Sequence, residues 1–221
     1  MARIVVIGGI ESTFTNAEVL HNLGEEIVMF FTRGPQSQGW QGVKMIETSN
    51  YSFLSTVPIT VVNGNINDHI RKIVELQPDF IYSLGWQQMY SPELLLICPV
   101  IGIHESLLPT GAGAVPIANA ILNNFSCTGA TLFWLDGGMD TGPIIGQLKS
   151  TLDPRKVTAT EIYFDIIQLG GELLKMHVPH INSGRAAKIP QDLSKRTVYK
   201  KINWSDWPID SVKRARVYPY D

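Results

Sequence analysis

His104 and Asp140 are the two residues of this chain best suited to moving a proton. His104 follows the apolar run 99–103 within Gly102-Ile103-His104-Glu105-Ser106-Leu107-Leu108-Pro109, and Asp140 follows the run 130–135 within Leu135-Asp136-Gly137-Gly138-Met139-Asp140-Thr141-Gly142-Pro143. Short apolar runs of this kind read as buried strands, and open α/β sheets gather ligands at strand ends. An imidazole that titrates near neutrality beside a carboxylate makes an acid/base pair. The same residue types also serve structure: a histidine after a buried strand can be held by hydrogen bonds alone, and an aspartate before Thr-Gly can cap a turn. Spacing leaves both readings open.

The elements that must present the pair alternate along the chain. Ile4-Val5-Val6-Ile7 is β-branched and uninterrupted, as a strand buried on both faces requires, and Gly8-Gly9 turns toward a helix over 16–23 that Gly24 ends. Gly8-Gly9-Ile10-Glu11-Ser12 does not meet G-x-G-x-x-G, so a phosphate cradle and a plain tight turn both fit it. The run 27–31 is a second strand. The stretch 32–42 is a loop whose one large apolar group, Trp40, either walls a substrate site or tucks the loop down.

After a weakly helical stretch over 51–54, the run 59–62 is a third strand, Asn67 caps a helix to Leu76, and Pro78-Asp79 stops it. The central strand is 80–84. Pro92 and Pro116 each open a helix, the second running to Asn123. Thr158-Ala159-Thr160-Glu161 forms a capping box ahead of Ile162, Ile166, Leu169, Leu173 and Met176 at helical steps, and beyond Pro179 the chain turns polar and irregular. This alternation predicts an α/β fold, a Rossmann-like and mostly parallel sheet flanked by helices. The division expected is a catalytic domain over 1–185 and a C-terminal extension over 186–221.

Composition narrows the partners. Eighteen basic against twenty acidic residues leave a net charge of −2, which provides no general field for nucleic acid. The late cluster Lys195, Arg196, Lys200, Lys201, Lys213, Arg214 and Arg216 reads as a solvated, charge-dotted tail. Cys98 and Cys127 lie in neither a C-x-x-C nor a Cys/His spacing, so neither a disulfide scaffold nor a metal is expected. The short first run is too strand-like for a signal peptide and no long apolar run follows, so a cytoplasmic protein with no membrane contact is expected.

Several motifs combine. His104-x-Ser106-Leu107-Leu108-Pro109, then Pro116-Ile117, then Thr128-Gly129-Ala130-Thr131-Leu132-Phe133, and finally Asp136-x-Gly138-x-Asp140-Thr141-Gly142-Pro143-Ile144-Ile145 closing on Gln147, together resemble the formyltransferase domain that uses 10-formyltetrahydrofolate. The likeness is to the branch that formylates amino groups: methionyl-tRNA formyltransferases, glycinamide ribonucleotide transformylases and sugar-nucleotide N-formyltransferases. It runs from the first strand to about Gln147, with a fainter echo at Ile202-Asn203-Trp204 and Arg214-Ala215.

That resemblance implies 10-formyltetrahydrofolate as donor, no metal, and attack of a primary amine on the formyl carbon through a tetrahedral oxyanion. His104 would relay protons, and Asp140 would fix its tautomer. The folate would lie against Trp86, Gln87 and Gln88, an aromatic with two amides at a strand's exit, and against Asp136, Gly137, Gly138, Met139 and Asp140. Packing of the loop is the plainer use of Trp86.

This chain departs from the pattern twice. Gly102 stands where the family has a catalytic Asn, and the stretch 110–114 lacks the family's arginines. Protonated His104, the Ser106 hydroxyl, a backbone amide of 111–113 or water are the candidates to replace the lost amide donor. The expected acceptor is an amino group on a nucleotide-linked sugar, because the chain carries neither the β-rich domain of tRNA-directed relatives nor a positive net charge. Two other readings compete: a folate- or nucleotide-binding protein that has lost catalysis, and a hydrolase passing the formyl group to water. Trp204, Trp207, Tyr218 and Tyr220 crowd the C-terminal stretch, which predicts contacts within a homodimer or closure over the acceptor.

Overall fold

The computed structural model describes residues 1–34 and 51–217, so Trp40, Tyr218 and Tyr220 lie outside the described residues. In chain order the elements are β1 (Arg3–Ile7), α1 (Glu11–Asn22), β2 (Glu26–Thr32), β3 (Ile59–Val61), α2 (Ile70–Leu76), β4 (Phe80–Leu84), α3 (Pro92–Leu95), β5 (Val100–His104), β6 (Ala112–Gly113), α4 (Pro116–Leu122), β7 (Gly129–Trp134), β8 (Ile144–Lys149), α5 (Ala159–Asn182), β9 (Val198–Tyr199) and α6 (Ile209–Ala215). Seven strands form one sheet in the order β3-β2-β1-β4-β5-β7-β8. The first five are parallel, β7 is antiparallel to β5, and β8 is antiparallel to β7.

Alternation along β1 explains the layers. Ile4 and Val6 join a core made with Phe14, Ala17 and Leu20 of α1, Ile117 and Ile121 of α4 and the inner face of α5. Val5 and Ile7 point the other way, into a second core with Ile73 of α2 and Leu94 of α3. A strand that faces apolar layers on both sides cannot alternate with polar residues, which is why its sequence reads as one β-branched run.

Sequence and structure differ where tertiary packing overrides local signals. Helix α1 starts at Glu11, five positions before the expected Asn16, because Gly8 lets it close on β4. A Cβ on Gly8 would lie 2.0 Å from the Leu84 carbonyl oxygen. Asn65 caps a 3-10 turn over Ile66–His69 that leads directly into α2, its side chain accepting from Asn67 N–H; Asn67 instead ties to Met89 O and Ser91 N–H. Helix α5 runs through Pro179 to Asn182. An interior proline costs a backbone hydrogen bond, but Val178 and Ile181 stay in the core and Asn182 donates to buried Glu25, which also accepts from Ala2 N–H.

Strand β8 and helix α6 have no counterpart in the sequence reading. Helix α6 lies on α4 with Val212 and Ala215 buried, and Trp204 and Trp207 pack against the main core. Those two aromatics are therefore partly buried within the chain. Among the described residues no helix is long and apolar enough to cross a membrane.

Candidate active site

Strand β5 ends in His104, and its neighbour β7 runs the opposite way, pairing Thr131 with His104 and Trp134 with Ile101. The loop leaving β7 therefore starts beside Val100, where Leu135 N–H donates to Val100 O, rather than beside the histidine. It must fold back across the face of β5 to reach the site, and Asp140 makes the turn at a φ of 53°. Aspartate is among the few non-glycine residues that enter the left-handed region readily. The result places Asp140 Oδ2 3.8 Å from His104 Nδ1.

A separation of 3.8 Å is an ion-pair contact and too long for a hydrogen bond. The tautomer of His104 is set from the other side, where Nε2 lies 2.9 Å from Gly111 O. A carbonyl oxygen only accepts, so Nε2 carries the hydrogen, and Nδ1 is the nitrogen free to take up a proton facing the Asp140 carboxylate. Asp140 Oδ2 itself accepts from Gly113 N–H at 2.7 Å. Residues 111 and 113 thus hold one member of the pair each, and both take positive φ, 77° and 91°. Side chains there would be strained.

The remaining site residues fall into distinct positions. Ser106 Oγ donates to Thr110 O at 2.8 Å, closing the turn after β5. Asp136 caps its own turn, accepting from Gly138 N–H and the Thr141 hydroxyl, while Gly137 is open to solvent and Met139 is half-exposed beside Gly113. Gln87 is exposed. Gln88 accepts from Ile66 N–H and donates to Gly64 O, so its amide ties two loops together. Trp86 packs against the second core, and the Arg33 guanidinium lies 5.0 Å from its ring centroid. Next to His104, burial pushes the Glu105 carboxyl above its ordinary range, partly offset by the imidazole.

Gly102 lies on the same face of β5 as His104, and its surroundings explain why the position is small. A Cβ there would lie 2.5 Å from Leu135 Cδ1 and 3.1 Å from Phe133. Its φ is not positive, so space rather than backbone conformation sets the limit. We expect Gly102→Asn to lower the unfolding midpoint and Gly102→Asn/Leu135→Ala to recover part of the loss. A denaturant double-mutant cycle should return a favourable coupling of about 1–2 kcal/mol; strictly additive effects would contradict the contact.

The glycine turn after β1 is filled by the protein's own groups. Ser12 N–H donates to the Tyr163 hydroxyl, Glu11 occupies the first turn of α1, and a Cβ on Gly85 would meet the Ile10 side chain. Of the two readings of that turn, the tight packing turn is the one the contacts match.

Four residues given no individual role from sequence turn out to brace the site. Thr131, fully buried, donates to Ser106 O and accepts from Leu108 N–H and Gln147 Nε2, and Gln147 also donates to Leu108 O. Gln191 donates to Asp140 O and Gly142 O. Thr197 accepts from Gly111 N–H through its hydroxyl. The first two sit inside the quoted motifs without a polar role showing; the last two lie in a polar stretch whose pattern carries no signal of contact with a distant loop.

Comparison with known proteins agrees on one family. The formyl transferase family matches the chain over residues 2–177. A methionyl-tRNA formyltransferase of Ruminiclostridium cellulolyticum is 29% identical over 215 residues, covering 93% of this chain. The chain spans 68% of that relative's length, and 48% and 45% of the lengths of two other methionyl-tRNA formyltransferases. Among solved structures, a 4-N formyltransferase from Francisella tularensis superposes with a TM-score of 0.76 at 18% identity, covering 99% of this chain and 89% of its own. An N-formyltransferase from Helicobacter canadensis, in complex with folinic acid and dTDP-3-aminofucose, gives 0.71 at 18% identity, covering 100% of this chain and 81% of its own.

Proposed function

The chain belongs to the formyl transferase family of enzymes, whose donor is 10-formyltetrahydrofolate, and from that premise we propose that it transfers the formyl group to an amino group of a nucleotide-linked sugar, with His104 and Asp140 as the working pair. The observation that carries the reading is the facing of His104 Nδ1 and Asp140 Oδ2 at 3.8 Å, with Nε2 already tied to Gly111 O. The acceptor nitrogen attacks the formyl carbon and gives a tetrahedral centre bearing an oxyanion and an ammonium. His104 takes the ammonium proton at Nδ1, Asp140 stabilises the imidazolium, and the proton passes to N10 of the folate as the carbon–N10 bond breaks.

The hydrogen-bond inventory also bears on what replaces the missing amide at Gly102. The Ser106 hydroxyl is given to Thr110 O. The amides of Gly111, Ala112, Gly113 and Ala114 donate to the Thr197 hydroxyl, Thr197 O, Asp140 Oδ2 and Tyr199 O respectively. Protonated His104 would reach the oxyanion through Nδ1–H, the nitrogen that also faces Asp140 at 3.8 Å, since Nε2 is tied to Gly111 O.

Two observations support a sugar acceptor. The net charge of −2 gives no field for a polyanion, and the fold neighbours include an N-formyltransferase in complex with an amino sugar nucleotide. The curated relatives by sequence are named for methionyl-tRNA, which defines the competing arm of the test. The protein is incubated with 10-formyltetrahydrofolate and, separately, dTDP-amino sugars, glycinamide ribonucleotide and methionyl-tRNA, and products are read by mass spectrometry alongside free formate. Formylated amino sugar is the expected product. Formylated methionyl-tRNA as the better product would move the acceptor to tRNA, formate alone would identify a hydrolase, and folate binding without release of tetrahydrofolate would mark a binding protein.

A further inference from the structure

We infer that Thr197, seconded by Gln191, is a positioning residue for formyl transfer, holding from the C-terminal stretch the loops that present His104 and Asp140. The inference rests on the reading of those two as the working pair. Strand β9 lies parallel to β6, pairing Val198 with Ala112 and Tyr199 with Gly113. Ala112 N–H donates to Thr197 O, Ala114 N–H to Tyr199 O, and Thr197 N–H to Pro109 O. The Thr197 hydroxyl accepts from Gly111 N–H at 2.8 Å, and the carbonyl of that same residue accepts from His104 Nε2 at 2.9 Å.

One residue therefore stands between Thr197 and the imidazole. Gly111 has positive φ and no side chain to wedge it, so its orientation is fixed by these bonds. The second loop is held in the same way: Gln191 Nε2 bonds Asp140 O and Gly142 O, at 2.9 and 2.7 Å, and Arg196 Nη2 bonds Met139 O. The two loops are joined by the bond from Gly113 N–H to Asp140 Oδ2 and meet at His104 and Asp140, so small errors in either would appear at the 3.8 Å contact. Thr197 is itself exposed and buries little, which separates its role from core packing.

The test uses the full chain and whichever acceptor the assay above identifies. Thr197→Val keeps shape and removes the acceptor oxygen; Thr197→Ser keeps the oxygen. We expect Thr197→Val to lower kcat by between about tenfold and 10²-fold, the scale of a misplaced catalytic group, with KM for 10-formyltetrahydrofolate unchanged. Thr197→Ser should restore most of that loss. In proton NMR spectra the His104 Nε2–H resonance should broaden by solvent exchange in Thr197→Val and return in Thr197→Ser.

A fall in thermal stability that leaves kcat and the imidazole resonance at wild-type values would overturn the inference, as would a loss that serine shares. Should Thr197→Val fail to fold, Gln191→Met decides, since it leaves the β6–β9 pair intact. A comparable loss of kcat at constant KM supports the inference, and wild-type kcat overturns it. His104→Asn is assayed beside them. If it is fully active, the working pair itself is wrong; if it is inactive while Thr197→Val and Gln191→Met are normal, only the positioning role falls.

Discussion

His104→Asn and Asp140→Asn should each slow single-turnover formyl transfer by about 10²–10⁴, the range expected for removing a proton-transferring side chain. Asp140→Asn is isosteric, whereas His104→Asn keeps a carboxamide near the Nδ1 position and gives up the Nε2 contact with Gly111 O. Asn at 140 still presents an oxygen to Gly113 N–H, so the loop remains tied while the negative charge facing Nδ1 is gone. Folate binding, followed by tryptophan quenching or calorimetry, should survive His104→Asn, because the β4 exit loop and the 136–140 loop are both untouched; in Asp140→Asn the same measurement separates a binding loss from a loss of rate. The double variant should be hardly slower than either single one, since residues acting as a unit fail together. Rates that multiply across the double variant would mean the two side chains act independently and would remove the pair from the mechanism.

Gly142→Ala should be the most damaging single-methyl change available in the loop that carries Asp140. Its added Cβ would fall 1.8 Å from the Trp134 carbonyl oxygen and 2.9 Å from the carbon behind it. These are backbone atoms of β7, fixed by sheet pairing, so the loop must yield instead. Displacing a catalytic group by about 1 Å can cost about 10²-fold in rate, and we expect that loss together with a destabilisation of about 1–3 kcal/mol in a denaturant titration. Gly137→Ala is the internal control for stability, because nothing lies within 4 Å of its added methyl. Wild-type activity in Gly142→Ala would show that the loop tolerates movement and that Asp140 need not be held where it is.

The legible part of this protein was the part with period and punctuation. Each strand buried on both faces announced itself as an apolar run, and glycine or proline marked its ends, so β1, β2, β4 and β5 were placed within a residue or so of their positions. The juxtaposition of His104 and Asp140 was anticipated, but from strand ends. The route is different: β7 is antiparallel, and its loop folds back over β5, a reversal that no local pattern encodes. Strand β8 carries little signal in the sequence because Gly146 interrupts an already short apolar run that follows Pro143. The stretch 186–199 looked irregular because its bonds are made by backbone and short polar side chains to residues some eighty positions away in the case of Gly111 and Thr197. Hydropathy does not record partners of that kind.

The pairing of β9 with β6 also fixes an order of events during synthesis. Residues 111, 112 and 114 leave the ribosome long before residues 197–199 have been made, and until then three of their amides lack the acceptors they will finally bond. Joining segments so far apart carries a larger loop-closure entropy than shorter-range pairings do. The sheet through β8 can assemble as it emerges, whereas the surroundings of His104 must wait for the C-terminal stretch. On the role proposed for Thr197, a nascent chain of this protein acquires its sheet before the surroundings of His104 take their final form.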